Sequence, residues 1–129
     1  HISEGTKLPS GEKISEIITK INHEKLMGVT LSCISPENYE LNLNEIKNLG
    51  VPFGFKLNAF IKTNPKPNYT GAFNNSKTGN PNEFLGQRKD LTPDKMAEFA
   101  QKFMNSGATI LGGCCETRPA HIEKMSKLK

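Results

Sequence analysis

Residues 26–50 read LMGVTLSCISPENYELNLNEIKNLG, which is an apolar run, a helical pattern and a terminal glycine in succession. The apolar run at 26–33 is too short for a helix and predicts a strand. Ser35 and Pro36 are typical of an N-cap and a first helical position, and Gly50 is typical of a helix end. A strand is therefore predicted to lead directly into a helix. The apolar face of that helix is predicted to comprise Tyr39, Leu43, Ile46 and Leu49.

The same succession recurs further along the chain. Residues 51–60 and 108–111 predict a second and a third strand, and Pro52 is tolerated only near the beginning of the former. The helices that follow are predicted to begin at Pro93 and at Pro119. Their apolar faces are predicted to comprise Met96, Phe99, Ala100 and Phe103 in the first, and Ile122 and Met125 in the second.

A further helix is predicted ahead of the first strand, over residues 11–22, with Ser10 as its N-cap. Strands that alternate with helices of this length form βαβ units, whose right-handed crossovers make the strands parallel. The predicted fold class is therefore α/β, either a doubly wound sheet or part of a (β/α)8 barrel. Residues 61–91 are rich in Asn, Pro, Gly and Lys and predict a long loop, of a kind that is usually functional or mobile.

The composition of the chain disfavours several classes of function. The 129 residues suffice for one domain, and 35% hydrophobic with 23% charged residues is typical of a soluble globular protein. The net charge of +4 is scattered, which disfavours nucleic-acid binding, and no apolar run reaches the roughly 18 residues of a membrane span. Three cysteines cannot form a closed set of disulfides, so we expect free or metal-bound thiolates in a reducing compartment, the cytoplasm.

All three cysteines follow predicted strands. Cys33 ends the first strand, and Cys114 and Cys115 follow the third. In α/β folds the ligand site lies at the carboxyl ends of the parallel strands. Adjacent residues of a strand point to opposite faces, so Cys114 and Cys115 can share one site only where the backbone leaves the extended conformation. We expect Gly112 and Gly113 to provide that freedom.

Three converging thiolates favour a zinc site. Zinc with three protein ligands keeps one tetrahedral position open, as in catalytic sites. A substrate thiol at that position would lose its proton and become a nucleophile, which predicts alkyl transfer to sulphur.

Two alternatives to a zinc site remain open. The cysteines could be small buried hydrophobic residues without a metal, or Cys114 and Cys115 could form a vicinal disulfide that acts as a redox switch.

Several segments carry a family resemblance. GATILGGCC at 107–115, followed by PAHI at 119–122, is similar to the G-A-x-I-I-G-G-C-C-G-T-x-P-x-H-I pattern of the homocysteine S-methyltransferases. VTLSCISPE at 29–37 resembles the G-V-N-C-[TS]-S-P-E segment of that family. LPSGE at 8–12 resembles the segment after its fifth barrel strand, and LNA at 57–59 resembles its Y-P-N-[SA]-G turn.

The resemblance implies a fold and a reaction. Residues 1–129 would be the carboxy-terminal portion of a homocysteine-binding (β/α)8 barrel, from about the end of strand five to helix eight, with a complementing amino-terminal chain or segment as partner. The implied reaction is zinc-dependent methyl transfer to the thiol of homocysteine, which forms methionine. The implied methyl donor is of the S-methylmethionine, betaine or methyl-folate type. The alternatives are a non-catalytic zinc-binding or interaction fragment and a thiol redox protein.

The resemblance also implies the site residues. The zinc ligands, which are the catalytic residues as well, are implied to be Cys33, Cys114 and Cys115. The residues implied to bind the substrate are Gly112, Gly113 and Asn58.

Departures from the family pattern lie near the implied substrate. Ser32 stands where the family has Asn, Glu116 stands where it has Gly, and Lys56 with Leu57 replaces Tyr-Pro. None of these changes removes a zinc ligand, but they leave the methyl donor and the thiol acceptor open. We expect Glu116 to be a solvated loop carboxylate, and we expect His121 to cap or pack its helix rather than bind metal.

Overall fold

The computed structural model of the chain describes residues 2, 4–21, 23–61 and 85–128. The described residues form a three-stranded sheet in the order β1-β2-β3 and four helices. Both strand pairs are parallel, which confirms the predicted α/β class with parallel strands. In chain order the elements are α1 (Ile14–Lys20), β1 (Val29–Ile34), α2 (Pro36–Ile46), β2 (Phe53–Leu57), α3 (Pro93–Asn105), β3 (Ile110–Gly113) and α4 (Pro119–Ser126).

Most of the predicted loop at 61–91 lies outside the described residues, so that prediction is not tested. Among the helices of the described ranges, none is long and apolar enough to cross a membrane.

Local sequence signals set the helix boundaries of α2 and α3. The Ser35 side chain accepts a hydrogen bond from the Asn38 N–H at 3.2 Å, and Thr92 caps α3 in the same way through the Lys95 N–H at 3.2 Å. A proline follows each cap, where its missing N–H costs nothing. Gly107 follows α3 with a φ of 103°, a left-handed conformation that favours glycine.

Several predicted boundaries are wrong. The first two strands are Val29–Ile34 rather than 26–33 and Phe53–Leu57 rather than 51–60. The first helix is shorter than 11–22, and its N-cap is Lys13 rather than Ser10, because the Glu16 carboxylate accepts the Lys13 N–H at 3.0 Å. The third strand is Ile110–Gly113 rather than 108–111, because the pairing with β2 begins only at Ile110. The hydrophobic pattern predicted bounds that are too early, because Gly112 and Gly113, which continue the strand, have no apolar side chain.

Alternate apolar residues of β2, together with Leu31 and Ile34 of β1, share one buried core with α2 and α3. Phe55 of β2 meets Tyr39 of α2 with a ring-centroid distance of 5.3 Å and Phe103 of α3 with one of 5.5 Å. Tyr39 and Phe103 are 4.6 Å apart, so the three rings close a triangle in which each is fully buried. Such aromatic groups bury a large apolar area and also interact edge to face. This triangle holds both helices on one face of the sheet.

An ion-pair network joins the segment before α3 to the first turn of α2. The Arg88 guanidinium binds both carboxylate oxygens of Glu37, at 2.7 and 2.9 Å, and also the carboxylate of Asp90 at 2.6 Å. The Arg88 side chain is only 20% exposed. Two-pronged pairs of this kind are stronger and more directional than single exposed ion pairs.

Removal of one ring of the aromatic triangle tests its role in stability. We expect Phe103→Ala to lower the free energy of unfolding by about 3–5 kcal/mol, because the substitution removes buried apolar surface and leaves a cavity. Leu41→Ala is the matched control, since Leu41 lies on α2 but is 68% exposed. Urea unfolding followed by circular dichroism measures both variants. Equal losses in the two would contradict the assigned core.

Acid unfolding tests the Arg88 network. The Arg88 guanidinium holds the pKa of the Glu37 carboxyl below its ordinary value of 4.5. A lowered folded-state pKa stabilises the fold above that ordinary value, and the contribution is lost as the pH falls through the folded-state pKa. We therefore expect acid to destabilise the unsubstituted chain more than Glu37→Gln. Urea midpoints from neutral pH down to about pH 3 measure this difference, and parallel pH curves for the two proteins would contradict it.

Candidate metal centre

The three cysteine sulphur atoms lie together at the carboxyl edge of the sheet. Cys33 Sγ is 3.6 Å from Cys115 Sγ, and Cys114 Sγ is 3.8 Å from Cys115 Sγ. All three sulphur atoms lie within 4.8 Å of one another, although Cys33 is 82 positions before Cys115. All three are free thiols, of which Cys115 is exposed and the other two are half-buried. The structure thus brings together the three predicted ligands.

A bulge in β1 determines where the Cys33 side chain points. Ser32 pairs with Lys56 and Ile34 pairs with the next residue of β2, so Cys33 is an extra residue in the strand. Its φ of 55° lies in the left-handed region, which is uncommon for a residue with a side chain. Because of the extra residue, Leu31 and Ile34 are both buried although they are three positions apart. That odd spacing is the sequence signal that could have predicted the bulge.

Gly112 and Gly113 do not supply the backbone freedom that was expected of them. Both lie within β3, paired in register with Lys56 and Leu57, and neither has a positive φ. The chain leaves the sheet after them, and the left-handed residue is Glu116 with a φ of 62°. The prediction was wrong because glycine permits unusual dihedrals without requiring them.

A turn that begins at Cys114 places the adjacent cysteines on one site. The Cys114 N–H still donates to the Leu57 carbonyl at 2.7 Å. The Cys114 carbonyl then accepts the Thr117 N–H at 3.2 Å and the Thr117 hydroxyl at 2.6 Å. A Cβ added to Gly113 would lie about 3.0 Å from the Thr117 Cβ, which is too close for an unaltered turn. Gly113 therefore leaves room for Thr117 to close the turn.

Asn58 contacts the cluster directly. It is 1% exposed, its Nδ2 lies 3.9 Å from Cys33 Sγ, and its Oδ1 accepts the Phe60 N–H at 3.2 Å. The Asn58 N–H donates to the Ile34 carbonyl at 2.9 Å, which ties the end of β2 to the end of β1. Asn58 thus supports Cys33. Its predicted contact with substrate, like those of Gly112 and Gly113, stays a prediction.

The thiols influence one another. Burial raises the pKa of Cys33 to about 12, and contact with the other two thiols adds to the shift. Burial also raises the pKa of Cys115. Burial opposes ionisation of Cys114 too, but hydrogen bonds from Cys33 and the Cys115 N–H, with the charge of Lys56, bring its pKa below the ordinary value. Three soft sulphur donors this close suit a thiophilic divalent cation, which offsets the repulsion between thiolates.

Two neighbours of the cluster have structural partners. His121 is 7% exposed; its Nδ1 accepts the Arg118 N–H at 3.0 Å and its Nε2 lies 3.0 Å from the Leu91 carbonyl oxygen. The expectation that His121 caps and packs α4 is therefore confirmed. Glu116 was expected to be solvated, but its side chain is only 7% exposed and pairs with Arg118 at 3.2 Å. The left-handed backbone at Glu116 turns that side chain inward, which sequence alone did not indicate.

Nearly the whole chain is similar to one known family of proteins. Residues 1–128 match the family model described as homocysteine S-methyltransferase. Homocysteine S-methyltransferase 1 of Arabidopsis thaliana is 26% identical over 125 residues, which are 96% of this chain and 34% of that protein. Homocysteine S-methyltransferase 2 of the same plant is 25% identical, over 96% of this chain and 33% of its own length.

The chain thus spans about a third of the length of the curated relatives it matches. No solved structure matches it significantly. The match to the family model covers nearly every residue, including the three clustered cysteines, and the chain belongs to the homocysteine S-methyltransferase family.

Proposed function

We propose that this chain is the zinc-bearing part of an S-methyltransferase that transfers a methyl group to the thiol of homocysteine and so forms methionine. The observation that carries the proposal is the approach of three thiols to within 4.8 Å at the carboxyl edge of a parallel sheet. Membership of the homocysteine S-methyltransferase family supports the choice of homocysteine as acceptor.

Zinc is the metal that this donor set fits best, and Cys33, Cys114 and Cys115 would hold it. Held by these three sulphurs, zinc would supply the Lewis acidity that lowers the pKa of a substrate thiol and favours its nucleophilic thiolate form. The partial exposure of the cluster supports access by a small thiol, since Cys115 reaches the surface.

The other residues around the cluster orient the cysteine side chains and, through them, the reacting groups. Asn58 supports Cys33 from the buried side, and the turn closed by Thr117 fixes Cys114 beside Cys115. The acceptor sulphur would attack the methyl carbon of the donor in line, and the bond to the donor would break with its electron pair staying on the donor. Rate enhancement then comes mainly from holding the two reactants in that geometry. Donors of the S-methylmethionine, betaine and methyl-folate types all present such a carbon.

The architecture proposed for the whole protein is a (β/α)8 barrel, of which this chain supplies a carboxy-terminal portion. Three parallel strands in chain order, with helices packed on one face, support this proposal. Apolar side chains also line grooves at both outer strands, as expected where further barrel elements would pack. At β1 they include Ile17, Ile18 and Val29, and at β3 they include Leu111, Ile122 and Met125.

The location proposed is the cytoplasm, because a cluster of three free thiols persists best in a reducing compartment.

Metal binding tests the donor set. We expect the chain to bind zinc in a one-to-one ratio. Each of Cys33→Ser, Cys114→Ser and Cys115→Ser is expected to lower that affinity by on the order of a hundredfold or more, since loss of a group that only hydrogen-bonds to a metal ligand costs about 10–100-fold. Thr109→Ser is the control, since Thr109 is exposed and precedes β3. Competition with a chromophoric chelator gives the affinities. Wild-type affinity in any one cysteine variant would remove that residue from the proposed ligand set.

Methionine formation tests the reaction. Homocysteine is supplied with each donor type in turn, to the chain alone and to the chain with an amino-terminal barrel segment of the same family. We expect turnover in the complemented sample and its loss, by at least about a hundredfold, in Cys114→Ser. Zinc binding without turnover in either sample would contradict the methyltransferase proposal and favour a non-catalytic zinc module. A zinc-free chain with a reducible bond between Cys114 and Cys115 would favour a thiol redox protein.

A further inference from the structure

We infer that Arg88 is a positioning residue for the cysteine cluster, and that it sets the spacing between Cys33 and Cys115 through two separate connections. Arg88 touches neither sulphur atom. One connection runs through its backbone to the end of β2, and the other runs through its guanidinium to the start of α2.

The backbone connection reaches Cys115. The Arg88 N–H donates to the Ala59 carbonyl at 2.8 Å, and the Ala59 N–H donates to the Cys115 carbonyl at 3.0 Å. Phe60 forms an antiparallel bridge with Gln87, and the Ile61 N–H donates to the Gly86 carbonyl at 2.9 Å. Residues 59–61 and 86–88 thus form a short paired stem beside the cluster. This stem fixes the position of the Cys115 backbone relative to the carboxyl edge of the sheet.

The side-chain connection reaches the Cys33 side of the cluster. Glu37 lies in the first turn of α2, and the N-cap of that helix, Ser35, is two residues after Cys33. The two-pronged bond between Arg88 and Glu37 holds this turn against the stem, and Asp90 orients the guanidinium from the other side at 3.2 and 2.6 Å. A planar guanidinium bound on two edges has little freedom to move. Arg88 is therefore connected both to the chain segment that carries Cys33 and to the chain segment that carries Cys115.

The Cys33 backbone needs such support. A left-handed residue with a side chain is strained, and it persists only where the surrounding contacts determine it. Asn58 contacts the Cys33 sulphur, but only at 3.9 Å and through a weak donor–acceptor pair. The first turn of α2 follows Cys33 directly, so a shift of that turn would relax the bulge and move the sulphur atom. The importance of the spacing for function rests on the function proposed above.

Chemical cross-linking tests the inference without any requirement for metal or turnover. The metal-free chain is treated with diamide, which accepts two electrons and two protons as two thiols form a disulfide. Peptide mass spectrometry then gives the share of protein with a Cys33–Cys115 bond. We expect Arg88→Met to form this bond on the order of fivefold more slowly than the unsubstituted chain, because a shift of the first turn of α2 would misplace Cys33 Sγ relative to Cys115 Sγ. Cobalt(II) affinity is expected to fall by about tenfold in the same variant.

Lys102→Met is the matched control. Lys102 pairs with Glu40 of α2 at 2.5 Å, as Arg88 pairs with Glu37, but both partners are exposed and neither belongs to the stem. We expect this variant to cross-link at the unsubstituted rate. Glu37→Gln removes the negative charge and one of the two acceptor oxygens of the side-chain connection, and it leaves the backbone connection intact. It therefore tests the inference if Arg88→Met does not fold. It is expected to slow the reaction in the same direction by a smaller factor.

Three outcomes overturn the inference. The first is unchanged cross-linking in folded Arg88→Met or in Glu37→Gln. The second is slowing by the same factor in Lys102→Met, which would show a general loosening of α2. The third is a rate of cross-linking that follows the unfolding midpoint of each variant rather than the presence of the Arg88–Glu37 bond. A normal cross-linking pattern in a chain without methyl transfer would leave the role of Arg88 intact and count against the proposed function alone.

Discussion

The parallel register of the three strands is the constraint on which the candidate site depends. Leu57 of β2 pairs with Ile34 of β1 on one side and with Gly113 of β3 on the other. The two outer strands therefore reach the carboxyl edge of the sheet at the same level, with Cys33 just before Ile34 and Cys114 just after Gly113. A slip of either outer strand by one residue would turn its side chains to the opposite face and separate the sulphur atoms.

Backbone strain in the structure is concentrated around the same edge. Cys33 and Glu116 are the residues other than glycine with a positive φ in the described part of the chain. Each such residue costs about 1–3 kcal/mol, and strained residues cluster at functional sites because the surrounding structure must hold them in place. The neighbouring contacts do so here. Thr117 and the Arg118–Glu116 pair secure one turn, and Asn58 with the first turn of α2 secures the other.

The two faces of the sheet carry different kinds of side chain. Its packed face meets α2 and α3 through the ring triangle, which contains no titratable group that the proposed reaction uses. The opposite face carries small or polar residues such as Thr30 and Ser32, whose hydroxyl oxygens are 3.5 Å apart, and the exposed Lys56. Ser32 and Lys56 depart from the family pattern, and they lie on strands that lead to the cluster.

The sequence by itself determined the order of elements, the cap at Ser35 and the starts of α3 and α4 at proline. It also determined the buried faces of α2 and α3 and the place of all three cysteines near strand ends. These features follow from interactions within a few residues: a side chain that caps a helix, the fixed φ of proline, and the period of apolar residues. The predicted start of the first helix and the predicted bounds of β3 were wrong for a related reason. Ser10 could cap a helix, but the Glu16 carboxylate accepts the Lys13 N–H and the first turn begins there. The glycines of β3 carry no hydrophobic signal.

Only the tertiary structure decided the sulphur distances, the bulge at Cys33, the Asn58 contact and the pairing of Arg88 with Glu37. These contacts join residues 82, 25 and 51 positions apart. Their geometry depends on how strands align and how loops close across the sheet, and no local pattern encodes that alignment. The sequence could therefore predict which sulphur atoms would meet, because strand ends share an edge, but the way in which the backbone bends to let them meet required the folded chain.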